Sequence, residues 1–180
     1  IAKHGVIIAR ALAAARLSHN KKKTVVSGST KEIGNKVIKR LKKDNVTLSN
    51  VRAARDLGLD AGGGRRRVTG TQAKRTRKAL DKLGRSTGLV QANRVATRLV
   101  PTGAQPTWAY GVEAYGLTNA ALGTLRSATA RAVAPGVAQR CPIIATRVTL
   151  GPEGDPLYVA TRASILWWVE TWTRNPYRKP

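Results

Sequence analysis

Two histidines, one cysteine and nine carboxylates are the chain's whole stock of acid–base and metal-binding groups. Their spacing offers little chemistry. His4 and His19 lack metal-ligand spacing. Asp56 and Asp60 form the closest acidic pair on one segment, but they flank a hairpin with no third ligand in view, so no metal site is expected. Ser27-Gly28-Ser29 does not make a nucleophile elbow. Gly58 and Gly62-Gly63-Gly64 give no phosphate loop, because no Gly-Lys-Ser/Thr follows. Cys141 has no neighbouring His and reads as a small buried hydrophobe. Being alone, it forms no disulfide within the chain, which fits an intracellular, reducing compartment such as nucleus, cytosol or organelle matrix.

The chemistry that the residues do support is phosphate contact. The chain carries 33 Lys and Arg against 9 Asp and Glu, a formal charge of +24. Such a chain repels itself and calls for a polyanion: nucleic acid first, an anionic membrane second. Residues 1–100 hold 25 of the cations and 5 of the acids, a net of +20, and residues 101–180 only +4. One cluster comprises Lys21, Lys22, Lys23, Lys39, Arg40 and Lys43, with Arg52 and Arg55 following. A second comprises Arg65, Arg66 and Arg67 beside the glycines, then Lys74, Arg75, Arg77, Lys78 and Lys82. Lys74, Arg77 and Lys78 share one helical stripe that can track a phosphate strand. A solvated basic face is the plainer reading of each cluster; the concentration of charge favours contact. All eight aromatics lie beyond residue 107, which argues against a base-stacking platform.

The elements that must position these cations follow from periodicity. A helix is expected over 5–17 with Ile8, Leu12 and Ala15 at helical spacing, and a strand over 23–27. Ser29-x-x-Glu32 is a capping-box pattern opening a helix over 30–43, with Ile33, Val37, Ile38 and Leu41 on its apolar face. Residues 46–60 read as two short strands with Leu57-Gly58-Leu59 as a tight hairpin. Thr71 caps a helix over 72–83, and another is expected over 89–100, stopping before Pro101. Residues 101–106 read as a turn and 119–134 as a helix built on Leu122, Leu125, Thr129 and Val133. Residues 143–160 read as mixed, with turns at Gly151-Pro152 and Asp155-Pro156. A last helix over 161–173 carries Ile165, Trp168, Val169 and Trp172 on one side. Those Trp residues read first as core and second, with Trp167, as a docking face for another protein.

At 180 residues, with 42% apolar and no Phe, one domain or two small ones can form, with Leu, Val, Ile, Ala and Trp filling the core. No apolar run is long enough for a membrane span. The chain lacks Met even at position 1, which reads as a processed product or an internal fragment. Residues 1–17 weakly suggest a transit peptide.

The order of features resembles the end of the palm and the thumb of reverse transcriptases from non-LTR retrotransposons. The carriers are Asn20-Lys-Lys-Lys23-Thr24 after a helix, Arg55-Asp-Leu-Gly-Leu59, the basic helices, and Tyr110-Gly-Val-Glu113 before another helix. They cover about residues 5–134; residues 135–180 match nothing comparable. The resemblance implies that Leu57, Gly58 and Leu59 correspond to a primer grip. It implies that Lys23 corresponds to the lysine that protonates the pyrophosphate leaving group. The family's catalytic Asp-Asp pair, which holds the Mg2+ ions, would lie before Ile1. This segment is therefore expected to hold no cofactor and to catalyse nothing unless upstream carboxylates are supplied.

The expectation is an α+β, mostly helical chain: a small strand and hairpin portion like a palm remnant, then a thumb-like helical bundle. Its parts would be 1–62, 63–134 and 135–180. The expected function is non-catalytic nucleic-acid binding, RNA favoured over DNA, within a larger assembly with other proteins, such as a ribosome. The alternatives are the C-terminal part of an active RNA-directed DNA polymerase and a basic structural subunit of an organellar or membrane complex.

Overall fold

The structure, a computed structural model, describes residues 2–16, 20, 24–44, 46–56, 59–64 and 67–174. It is a mostly helical α+β chain with two small sheets. Two compact units divide it, Ile1–Thr71 and Gln72–Pro180. The second takes in both the basic helical stretch and the C-terminal segment.

The first unit begins with helix α1 (Ala2–Ala14). Its half-buried stripe is Gly5, Val6, Ala9 and Leu12, whereas Ile8 is 60% exposed and Ala15 is exposed. The expected stripe is thus rotated. The cause is Gly5, where an added Cβ would sit 3.1 Å from Leu41, so the two backbones approach on that side. Strand β1 (Val25–Val26) leads into helix α2 (Lys31–Lys42) and then β2 (Ser49–Asn50). β1 and β2 pair in parallel, Val25 with Ser49 and Val26 with Asn50. A parallel pair needs a crossover, and α2 supplies it.

Thr30, rather than Ser29, is the cap of α2: its hydroxyl accepts from Ile33 N at 3.3 Å. Gly34 and Leu41 are buried and Val37 and Ile38 half-buried, but Ile33 is exposed. The seat that Ile33 was expected to fill goes to Gly34, because the Asn50 side chain lies against it. Asn50 Nδ2 donates to Lys31 O and to Asn35 Oδ1, and a methyl at Gly34 would overlap its amide.

Strands β3 (Ala53–Asp56) and β4 (Leu59–Gly62) form the expected hairpin, Asp56 opposite Leu59. Ser27 ties it down, donating to Arg52 O and accepting from Gly63 N. The described apolar core of this unit is small: Leu41 and Val46 are its buried hydrophobic residues. Polar links do much of the holding.

Helix α3 (Gly70–Ala92) is far longer than the expected 72–83, and Thr71 lies inside its first turn. Asp60 supplies the cap. Its two carboxylate oxygens accept from Thr71 N and Thr71 Oγ1, each at 2.6 Å. The helix runs on because Ala79, Leu83, Ser86 and Val90 are buried at i, i+4, i+7 and i+11. No separate helix covers 89–100. A 3-10 helix at Arg94–Arg98 follows, then a π-type turn at Val100–Ala104 and helix α4 (Gln105–Ala109). Pro101 and Pro106 lie in the first turns of the last two, where a missing N–H costs nothing. They therefore start helical structure where the sequence suggested a break.

Helix α5 (Val112–Tyr115) follows Gly111, whose φ of +81° is the left-handed conformation that favours glycine. Helix α6 (Asn119–Val133) buries the expected Leu122, Leu125, Thr129 and Val133. Residues 143–160, expected to be mixed, are mainly helical: α7 is Pro142–Leu150, a 3-10 turn covers Pro152–Gly154, and α8 is Pro156–Thr173. Both helices carry Pro in the first turn. α6 packs on α7 and α5 on α8. The core of this unit includes Leu83, Val100, Trp108, Val112, Leu125 and Val133.

Asp155 locks the junction of α7 and α8. It is 1% exposed, caps Leu157 N, and accepts from Arg126 Nη2 at 2.8 Å. Arg126 Nε lies 2.8 Å from its other oxygen, as an ion pair rather than an aligned hydrogen bond, and Arg147 Nε is 3.9 Å away. A buried carboxylate needs such partners, since an isolated one would be costly to desolvate.

Candidate nucleic-acid interface

Helix α2 sorts its residues by face. At 100° per residue, Lys36, Lys39, Arg40 and Lys43 fall opposite Gly34, Val37, Ile38 and Leu41. All four cations are exposed, as are Lys31 and Lys42. None of the six makes an ion pair among the described residues. Lys39, Arg40 and Lys42 stand in the last turn, where they complement the helix dipole whether or not a phosphate arrives. At the other end the Glu32 carboxyl is held below its ordinary value of 4.5. Its own backbone N–H is the largest cause, then the Thr30 hydroxyl, with Lys31 and Lys36 adding to it and desolvation opposing. Arg52 is exposed on the turn between β2 and β3.

Helix α3 presents the second stripe. Lys74, Arg77, Lys78 and Arg85 point away from the buried face and are exposed, with Asp81 among them. They make no ion pair among the described residues. From Lys74 to Arg85 the stripe runs about 16 Å at 1.5 Å per residue. Arg85 belongs to it although the sequence reading stopped at Lys82. The signal was its i+7 and i+11 spacing from Lys78 and Lys74, hidden by the expected helix end at 83.

Two expected contacts are engaged elsewhere. Lys82 is half-buried, and its Nζ donates to Gly103 O at 2.9 Å and to Thr107 Oγ1 at 2.8 Å. It braces the π-type turn rather than facing solvent. Arg75 donates to Tyr110 O at 3.2 Å, and its guanidinium lies 4.3 Å above the Tyr110 ring. Lys21, Lys22, Lys23, Leu57, Gly58, Arg65 and Arg66 lie outside the described residues, as does the side chain of Arg55. Arg67 is described and exposed, and Leu59 is half-buried on β4.

Among the described residues no group of three or more His, Cys, Asp or Glu could hold a metal ion. A groove of about 640 Å³ lies between α3 and α6, lined by Leu80, Gly84, Thr87, Gly123, Ser127 and Arg131 among others. Its lining holds no carboxylate, imidazole or thiol.

Cys141 is exposed, contrary to expectation, because it stands one residue ahead of α7 rather than on its inner face. Trp168 is 59% exposed, Trp172 49% and Trp167 45%, so the reading of Trp168 and Trp172 as core is overturned. The inner face of α8 is Pro156, Val159, Ala160 and Ala163 instead. Small residues there let α8 sit close to the body, and the large ones point away. No described helix is long and apolar enough to cross a membrane.

No protein-family model, curated protein or solved structure matches the chain.

Proposed function

We propose that the chain is a nucleic-acid-binding module, with RNA favoured over DNA, that grips the phosphate backbone through α2 and α3 and performs no chemistry of its own. One observation carries the reading: both helices set a solvent-facing row of cations against a buried face, and those rows make no ion pairs among the described residues. Neither helix contains an aromatic residue, so contact falls on phosphates rather than stacked bases. Descent from a reverse transcriptase of the non-LTR type is part of the proposal, resting on the motifs of residues 20–24, 55–59 and 110–113. Incorporation into a ribonucleoprotein would neutralise the charge.

Fluorescence anisotropy with a structured RNA, titrated at rising salt, tests it. Each phosphate contact releases counterions, so five or more contacts give a log–log slope steeper than about −4. Charge reversal at Lys36, Lys39 and Arg40 together should flatten that slope and weaken binding. A slope worth one or two contacts, or no response to the reversal, counts against the proposal.

A further inference from the structure

Helix α8 has one face without a partner, and its composition differs from the rest of the molecule. Its 18 residues carry one cation, Arg162, and one anion, Glu170, in a chain of net +24. Along its outer face Tyr158, Thr161, Ile165, Trp168 and Trp172 alternate at three- and four-residue steps, the spacing of a helix–helix seam. Leu157 and Val169 flank that seam. Exposures are 41% for Leu157, 36% for Tyr158, 55% for Ile165, 59% for Trp168, 43% for Val169 and 49% for Trp172. Trp168 and Trp172 stack with centroids 5.7 Å apart and rings within 10° of parallel, giving the seam a flat aromatic end. The Glu170–Arg174 ion pair and Trp167 lie on the other side of the helix.

We infer that this seam pairs with α8 of a second copy of the chain, forming a two-fold dimer. Three arguments select that occupant. First, a two-fold interface brings a patch against itself, so it must be self-complementary. A neutral apolar seam meets that condition, and it is where two copies of so basic a chain repel least. Second, the area is sufficient. A buried aromatic side chain covers about 150–250 Å², so three half-exposed aromatics and three half-exposed aliphatics offer roughly 500–600 Å² per copy. A pair would bury on the order of 1,100 Å², above the roughly 1,000 Å² of a specific interface. Third, a lipid surface or an acidic protein would be drawn to the cations on α2 and α3, not to a helix of zero net charge.

Sedimentation equilibrium on the nuclease-treated chain tests the inference. The expected result is reversible association from 19.3 kDa to twice that mass. Added sulfate should strengthen it, as burial of apolar surface does, where an RNA-bridged dimer would weaken. Ile165→Glu and Trp168→Glu should each raise the dissociation constant at least tenfold. Trp167→Glu, on the opposite face, should leave it unchanged. All three positions are exposed, and unchanged far-ultraviolet circular dichroism confirms that the variants fold. Three results would overturn the dimer: a wild-type monomer up to about 100 μM, a monomer that instead binds phosphatidylserine vesicles through Trp168, or equal losses from Trp167→Glu and Trp168→Glu.

Discussion

Charge alone does not say what a lysine does. Lys78 and Lys82 sit one turn apart on α3, yet Lys78 faces solvent while Lys82 reaches back to Gly103 O and Thr107 Oγ1. The two truncations should therefore separate. Lys82→Ala leaves a carbonyl and a hydroxyl short of a donor and should cost about 1–2 kcal/mol of stability, read as a lower urea midpoint. Lys78→Ala should change stability by less than about 0.5 kcal/mol and instead remove about 0.9 from the salt slope of RNA binding. If Lys82→Ala lowers the slope and leaves the midpoint alone, the bracing role is wrong. Asp60 makes the same point among the acids. The sequence offered it as one half of a weak metal pair, and the fold spends both its oxygens on the first turn of α3.

At the scale of elements, the caps carry a pH signature. Glu32 sits in the first turn of α2, and its carboxyl is held below 4.5 by the backbone N–H and the Thr30 hydroxyl. A carboxylate with a depressed folded value contributes stability that is fully present above its unfolded value. That contribution is lost as pH falls through the folded one. Wild type should therefore melt above Glu32→Gln at pH 7, and the difference should shrink once pH drops below the ordinary glutamate range. Thermal unfolding of both proteins from neutral to acid pH checks the sign, and a difference that grows toward acid would refute it. Other element boundaries divide by how local their causes are. α6 was legible because Leu122, Leu125, Thr129 and Val133 repeat on one face between a Thr cap and Pro135-Gly136. α3 ran past its expected end because Leu83 and Val90 extend a stripe that the eye cuts at Gly84 and Gly88. Pro101, Pro106, Pro142 and Pro156 looked like breaks, and each lies in a first helical turn. The apolar stripe of α8 was read correctly as a stripe and wrongly as core, since periodicity shows that a face is apolar but not whether the chain itself covers it.

At the scale of the whole molecule, charge and apolar burial are distributed unevenly. Residues 1–71 hold 17 Lys and Arg against 4 Asp and Glu, a net of +13, and their described buried hydrophobics are Leu41 and Val46. The second unit buries thirteen hydrophobic residues for a net of +11. Self-repulsion thus weighs most on the unit with least apolar burial to oppose it. Its polar links, such as Asn50 to Asn35 and Ser27 to Gly63, are exposed to competing water, and each contributes on the order of 1 kcal/mol at most. A polyanion that binds the folded form adds RT ln(1 + [L]/Kd), about 2.7 kcal/mol at a hundredfold excess over Kd. That gain is large beside what the first unit can supply from its own core. Amide hydrogen exchange should report it: with structured RNA added, amides of α2 and β2 should slow markedly, while those of Leu125 and Val133 in α6, already buried by their own core, should change little. Raising salt should reverse the slowing as the RNA dissociates. Equal protection of both units, or protection confined to α6, would show that the polyanion does not stabilise the basic unit in this way.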